Sequence, residues 1–174
     1  MYLGNAFPHK NILALVKAFD LLHKQRPHLK LVLVGRKEKH YIELEEQVQK
    51  FASKDSIIIT GFLPDEQAKW LYQHCQAYVF PSLSEGFGLP ALEAMAHGTV
   101  VAASYASCLP EVYGEAAHYF DPRDPHDMAT KIADVLDDKK LRTQLHAAAK
   151  EQIKKYSWRT MAEQTLTVYN DVLA

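Results

Sequence analysis

Leu31-Val32-Leu33-Val34 has no polar side chain on either face that a strand would present, so a strand here is buried on both sides. A sheet covered by helices on both faces meets that requirement. Working outward, this stretch belongs to a run from Leu29 to Val34, and similar short runs cover Ser56 to Thr60, Ala77 to Phe80 and Val100 to Ala103. Between them, Ile12, Leu15, Val16, Phe19 and Leu22 follow helical spacing, as do Leu44, Val48 and Phe51, and Met128, Ile132, Val135 and Leu136. Strands alternating with amphipathic helices predict an α/β fold, a doubly wound parallel sheet. Such sheets bind ligands beyond the carboxyl ends of their strands, where loops lead into helix N-termini. Function is expected in those loops.

A chain of 174 residues that is 48% hydrophobic and 24% charged has the size of one globular domain, read here as residues 1–174 around one core. The formal charge of −1 supplies no surplus of basic side chains for nucleic acid or an anionic membrane, so any anion must be met locally. Cys75 and Cys108 lack CxxC spacing and are too few for a disulfide framework, which fits a reducing compartment. No apolar run approaches the roughly 20 residues of a spanning helix. The N-terminus also lacks the pattern of a signal peptide. A cytoplasmic location is expected, with membrane contact arising only through another domain. Met1-Tyr2-Leu3-Gly4 reads as the end of a strand that turns between Gly4 and Pro8, so the chain is expected to be part of a longer polypeptide. From about Asp137 the pattern is helical almost without break to Ala174, except near Tyr156-Ser157, where Ser157 is a suitable N-cap. The last helix would carry Trp158, Met161, Ala162, Leu166, Tyr169 and Leu173 on one side.

Phe80-Pro81-Ser82-Leu83-Ser84-Glu85-Gly86-Phe87-Gly88-Leu89-Pro90-Ala91-Leu92-Glu93-Ala94-Met95 reads as strand, glycine loop and helix. Pro90 suits the first helical position, which would leave the amides of Phe87, Gly88 and Leu89 free just ahead of the helix. Free amides and the helix dipole together form an anion site suited to a pyrophosphate. Gly86 and Gly88 would clear side chains from the approach of phosphate oxygens and permit positive φ. Glu85 precedes this turn and Glu93 lies about one helical turn inside it, so the two carboxylates bracket the anion site. The bland alternatives are a turn that needs two glycines, a first-turn acid at Glu93 and a solvated loop acid at Glu85. Gly86-x-Gly88-x-x-Ala91 also matches the dinucleotide fingerprint. Its context argues against that reading: the strand before it is the fourth, and the next strand ends in Ser104-Tyr105 with no acid for a ribose.

Glu85-Gly86-Phe87-Gly88-Leu89-Pro90, with Glu93 eight positions after Glu85, resembles the E-x7-E signature of retaining glycosyltransferases of the GT-B type, of the glycogen-synthase and mannosyltransferase kind. The resemblance extends along the chain. Tyr2-Leu3-Gly4 to Pro8-His9-Lys10-Asn11 is similar to that family's opening G-R-x4-K-G segment, Leu33-Val34-Gly35 to its second strand and Thr60-Gly61-Phe62 to its third. Ser107-Cys108-Leu109-Pro110-Glu111-Val112 and Phe120-Asp121-Pro122 also resemble family segments.

The resemblance implies a Rossmann-like domain, one half of a GT-B fold: the C-terminal half, which binds the nucleotide sugar. The acceptor-binding N-terminal domain would lie outside this sequence. It further implies that Glu85 and Lys10 are catalytic, with Glu85 facing the transferred hexose and Lys10 the donor phosphates. Glu93 would hold the ribose, Gly86, Phe87, Gly88 and Leu89 the diphosphate, and Gly61 and Phe62 would lie beside the base. Asn5 stands where the family pattern has arginine, and an uncharged side chain there cannot make a bidentate phosphate pair. Arg36 or Lys37 could compensate. Glu111 suits a helix start, and His9, His40, His74 and His97 show no paired metal-ligand spacing. The expected ligand is a nucleotide diphosphate sugar, GDP-mannose being one such donor, with no cofactor and no metal. Alternative readings are a GT-B epimerase or phosphorylase relative, or a nucleotide-sugar sensor that transfers nothing.

Overall fold

A computed structural model describes residues 1–173. Its strands are β1 (Tyr2–Leu3), β2 (Leu31–Val34), β3 (Ile57–Gly61), β4 (Tyr78–Phe80), β5 (Val101–Ser104) and β6 (Ala117–Phe120). The helices are α1 (Ile12–His23), α2 (Lys39–Val48), α3 (Asp65–His74), α4 (Leu89–Ala96), α5 (Leu109–Tyr113), α6 (Pro125–Asp137), α7 (Lys139–Gln152) and α8 (Trp158–Leu173). All strand pairs are parallel, in two triplets ordered β1-β2-β3 and β4-β5-β6. The triplets meet at Met1: Val79 N donates to Met1 O at 2.8 Å, and the Met1 ammonium donates to Ala77 O at 2.7 Å. The strand order is therefore β3-β2-β1-β4-β5-β6. The chain moves outward from β1 to β3, returns through α3 to β4, and moves outward again on the other side. This reversal opens a crevice between the loops that follow β1 and β4.

The core matches the apolar periodicity. Ile12, Leu15, Val16, Phe19 and Leu22 are all buried on α1, and Met128, Ile132 and Val135 on α6, against which α1 packs. Every residue of β5 is buried, and Leu33 of β2 is fully enclosed. A leucine buried this completely contributes roughly 2–3 kcal/mol by removal from water.

Several elements differ from the sequence reading, each for an identifiable reason. Edge strand β6 has half-buried His118 and Tyr119 in its middle and no repeated apolar signal. Helix α3 buries only Tyr72 fully, and its inward face of Ala68, Leu71 and Tyr72, with Cys75 just past its end, is too short and too weakly apolar to stand out in the sequence. Phe51 lies beyond the end of α2. The long C-terminal helical pattern breaks at Asp138, whose carboxylate accepts from Lys140 N at 2.8 Å and Leu141 N at 2.9 Å and so caps α7. Pro90 is the second residue of α4 and not the first, because the helix begins at Leu89. Ser157 does cap the final helix, accepting from Thr160 N at 3.3 Å. That helix, α8, buries none of its residues, and Trp158 is 73% exposed. No helix among the described residues is long and apolar enough to cross a membrane.

Candidate functional site

The loops after β1 and β4 meet at a charge pair. Lys10 Nζ lies 2.6 Å from Glu85 Oε1, with the two side chains 16% and 10% exposed, and the ammonium stands 5.9 Å from the centre of the Phe80 ring. Seventy-five positions separate the partners in sequence. Asn11 fixes the loops around them: its side-chain amide donates to Pro81 O at 3.1 Å and to Pro122 O at 2.8 Å, joining the ends of β1, β4 and β6. Its φ of 57° is left-handed, which asparagine tolerates better than most side chains. Leu83 N completes the junction by donating to His9 O at 2.8 Å.

The turn from Glu85 to Leu89 is held from below. Ser107 Oγ donates to Glu85 O at 2.9 Å and lies 3.4 Å from Glu85 N, while Cys108 Sγ donates to the same carbonyl at 3.2 Å. The buried Tyr113 hydroxyl donates to Gly88 O at 2.7 Å. Gly88 has a φ of 90°, and a Cβ there would stand 2.0 Å from Tyr113 Oη. Gly86 differs from the expectation: its φ is not positive, and a Cβ would meet nothing within 4 Å. Gly88 is therefore required by the protein's own packing, whereas Gly86 faces open space.

No group among the described residues accepts a hydrogen bond from the amides of Gly86, Phe87, Gly88 or Leu89. Leu89 opens α4, so these donors sit at the positive end of its dipole. The side chains of Phe87 and Leu89 turn into a separate groove beside Tyr156 and Trp158, and the Phe87 ring lies 5.3 Å from that of Tyr156. These two residues can offer an anion only their backbone.

A cleft of about 750 Å³ opens beyond β1, β2 and β3, lined in part by Asn5, Arg36, Phe62, Leu63, Tyr72 and Glu93. Three of the sequence-predicted residues, Asn5, Phe62 and Glu93, thus come together here. Gly61 stays behind them at the end of β3, where its carbonyl accepts from Gly35 N at 3.2 Å. Lys10, Glu85 and the amide turn do not line the cleft. They lie at the switch point, and α4 links the two regions, with the open amides at its start and Glu93 four residues further on.

The cations sort themselves by partner. The Lys37 ammonium pairs with Glu45, whereas Arg36 lines the cleft with its guanidinium 5.4 Å from the centre of the Phe62 ring and has no carboxylate partner among the described residues. Asn5 directs Oδ1 toward Phe7 N at 3.4 Å, so its side chain serves its own turn. Glu111 lies exposed in the first turn of α5, and His97 stacks on Tyr72 at 5.7 Å.

Sequence reading missed the tyrosines beneath these loops. Tyr2 donates to Asn5 O at 2.8 Å and Tyr41 to Gly4 O at 3.0 Å, as Tyr113 does to Gly88 O. Burial pushes all three phenols well above their ordinary pKa, so they remain protonated donors. The available signal was Tyr41 in the helical stripe with Leu44 and Val48. Tyr2 and Tyr41 each fix a loop carbonyl that no strand or helix holds, while Tyr113 shares Gly88 O with Ala91 N of α4, 3.3 Å away.

A doubly wound sheet with an open amide turn at its switch point and a cleft beside it defines a Rossmann-like domain of the ligand-binding kind. The family described as glycosyl transferases group 1 matches residues 1–152, and the chain belongs to that family. It is 35% identical over 170 residues to O-antigen chain mannosyltransferase B of Escherichia coli, a match covering 97% of this chain and 45% of that protein. Among solved structures, sucrose-phosphate synthase from Thermosynechococcus elongatus superposes with a TM-score of 0.87 at 28% identity, over 99% of this chain and 44% of the other. Anabaena Alr3699/HepE, solved in complex with UDP, shares the fold at a TM-score of 0.82 and 21% identity, over 98% of this chain and 48% of its own. The chain spans less than half the length of each of these relatives.

Proposed function

We propose that this chain is the donor-binding, C-terminal domain of a cytoplasmic hexosyltransferase that transfers sugar from a nucleotide diphosphate with retention of anomeric configuration. The observation that carries this reading is the enclosed Lys10–Glu85 pair beside four unpartnered amides at the start of α4. An ammonium has three donors, and Glu85 occupies one, leaving the others for diphosphate oxygens. The amides and the helix dipole add fixed positive potential where charge grows on the departing diphosphate, and they need no reorganisation during the reaction. Glu85 carries a second oxygen that can accept from a sugar hydroxyl. Glu93 faces the cleft as an acceptor for ribose, with Phe62 and Arg36 further out beside the base. The mannosyltransferase relative and the UDP-bound neighbour support a nucleotide sugar, and GDP-mannose is the donor to test first.

The acceptor would be held by a second, N-terminal domain facing the crevice. The exposed apolar side of α8, with Trp158, Met161 and Tyr169, supports a contact with it. These 174 residues are accordingly expected to fold and bind a nucleoside diphosphate, yet to transfer no sugar above background, because no acceptor is held in line with the anomeric carbon. Calorimetry and a radiolabelled transfer assay check the two halves of this statement. Acceptor-dependent transfer by this chain alone would overturn the two-domain reading, and a folded chain that binds no nucleotide would overturn the donor site.

The two carboxylates should separate by ligand. Glu93→Ala is expected to weaken binding of nucleoside diphosphate and nucleotide sugar alike, by about 1–3 kcal/mol for a lost charged acceptor. Glu85→Gln should act mainly on the nucleotide sugar and on turnover in the full-length protein. Equal loss of plain nucleoside diphosphate affinity in both variants contradicts the assignment.

A further inference from the structure

We propose that Tyr72 is a positioning residue for Glu93, holding that carboxylate toward the ribose of the donor; the inference rests on the reading of Glu93 given above. Tyr72 is the one fully buried residue of α3, at 3% exposure, yet it reaches the cleft. Its hydroxyl donates to Glu93 Oε2 at 3.2 Å, across twenty-one positions of sequence. The ring is fixed on two sides, with Tyr78 at 5.6 Å and His97 stacked at 5.7 Å and 22°. The backbone is fixed as well, since the Thr99 hydroxyl donates to Tyr72 O.

A phenol so confined points its O–H in one direction. Glu93 is otherwise an exposed side chain with three rotatable bonds, whose freedom a ligand would have to remove on binding. Engaging Oε2 limits that freedom in advance and leaves Oε1 for a ribose hydroxyl. Burial, and next the Glu93 charge, push the phenol's pKa well upward, so the group is a donor at neutral pH and never a competing anion. A tyrosine needed only for packing has no use for its hydroxyl, and the Phe variant separates the two roles.

The test uses Tyr72→Phe, Glu93→Ala and the double variant of this chain, titrated calorimetrically with GDP, UDP and their 2′,3′-dideoxy counterparts. Tyr72→Phe is expected to weaken binding of the ribonucleotide about 3- to 10-fold, to change the dideoxy nucleotide less than about twofold, and to add no loss on top of Glu93→Ala. Equal loss for both nucleotides would make Tyr72 a packing residue. No loss for either, while Glu93→Ala shows a ribose-dependent loss, would overturn the positioning role and leave the reading of Glu93 standing. If Glu93→Ala affects ribonucleotide and dideoxynucleotide equally, Glu93 does not hold the ribose and both assignments fall.

Discussion

Gly88→Ala is expected to destabilise the chain by about 3–5 kcal/mol, combining the cost of a left-handed alanine with overpacking of a closed site. The methyl group would stand 2.0 Å from Tyr113 Oη and 2.9 Å from Leu109 Cδ2, and both of those residues are fully buried beneath the turn. The same shift would break the bond from Tyr113 to Gly88 O and displace the amides the turn presents. In a domain of this size the melting temperature should fall by roughly 10 °C or more. Adding Tyr113→Phe removes the nearest clashing atom and should restore part of the loss. Gly86→Ala is the contrast, because its methyl meets no protein atom within 4 Å. Stability should stay within about 0.5 kcal/mol of wild type. Nucleoside diphosphate affinity should nevertheless fall, since that open space is the approach assigned to the phosphates. A Gly86→Ala variant that binds as tightly as wild type would move the diphosphate away from this turn.

Lys10→Ala should weaken nucleoside diphosphate binding by about 1–3 kcal/mol, roughly 5- to 150-fold in Kd, the range for a charge-assisted hydrogen bond in a partly buried site. Nucleoside binding should hardly change, because Lys10 does not line the cleft assigned to base and ribose. In the full-length protein the turnover loss should be larger, about 10²- to 10³-fold, since charge on the leaving diphosphate peaks in the transition state. The variant also leaves Glu85, 10% exposed, without its cation. That part of the effect is a stability loss, and Lys10→Met combined with Glu85→Gln should recover the melting temperature without recovering diphosphate affinity. Equal loss for nucleoside and nucleoside diphosphate would show that Lys10 supports the fold alone.

Periodicity alone determined a large part of this molecule. Short continuous apolar and β-branched runs specify where β2 to β5 form, and apolar residues at helical spacing where α1 and α6 form, because burying those faces dominates the free energy and leaves a pattern in the chain. The glycine turn ahead of a proline-bearing helix was equally legible, since left-handed backbone and helix starts have strong residue preferences. The spacing around that turn also brought Glu85 and Glu93 into one hypothesis, and the resemblance added Lys10 to it. Tertiary structure decided what depends on partners far apart in the chain. It placed Glu85 against Lys10, made Gly88 a packing requirement while leaving Gly86 open, paired Lys37 with Glu45 and left Arg36 to the cleft. It turned Tyr2, Tyr41, Tyr72 and Tyr113 from ordinary core residues into donors that hold loop carbonyls and a carboxylate. Their burial was within reach of pattern reading, but the direction of each O–H was not. A side chain's hydrophobic face is set by its neighbours in sequence, whereas its hydrogen-bond partner is set by which loops the sheet order brings beside it.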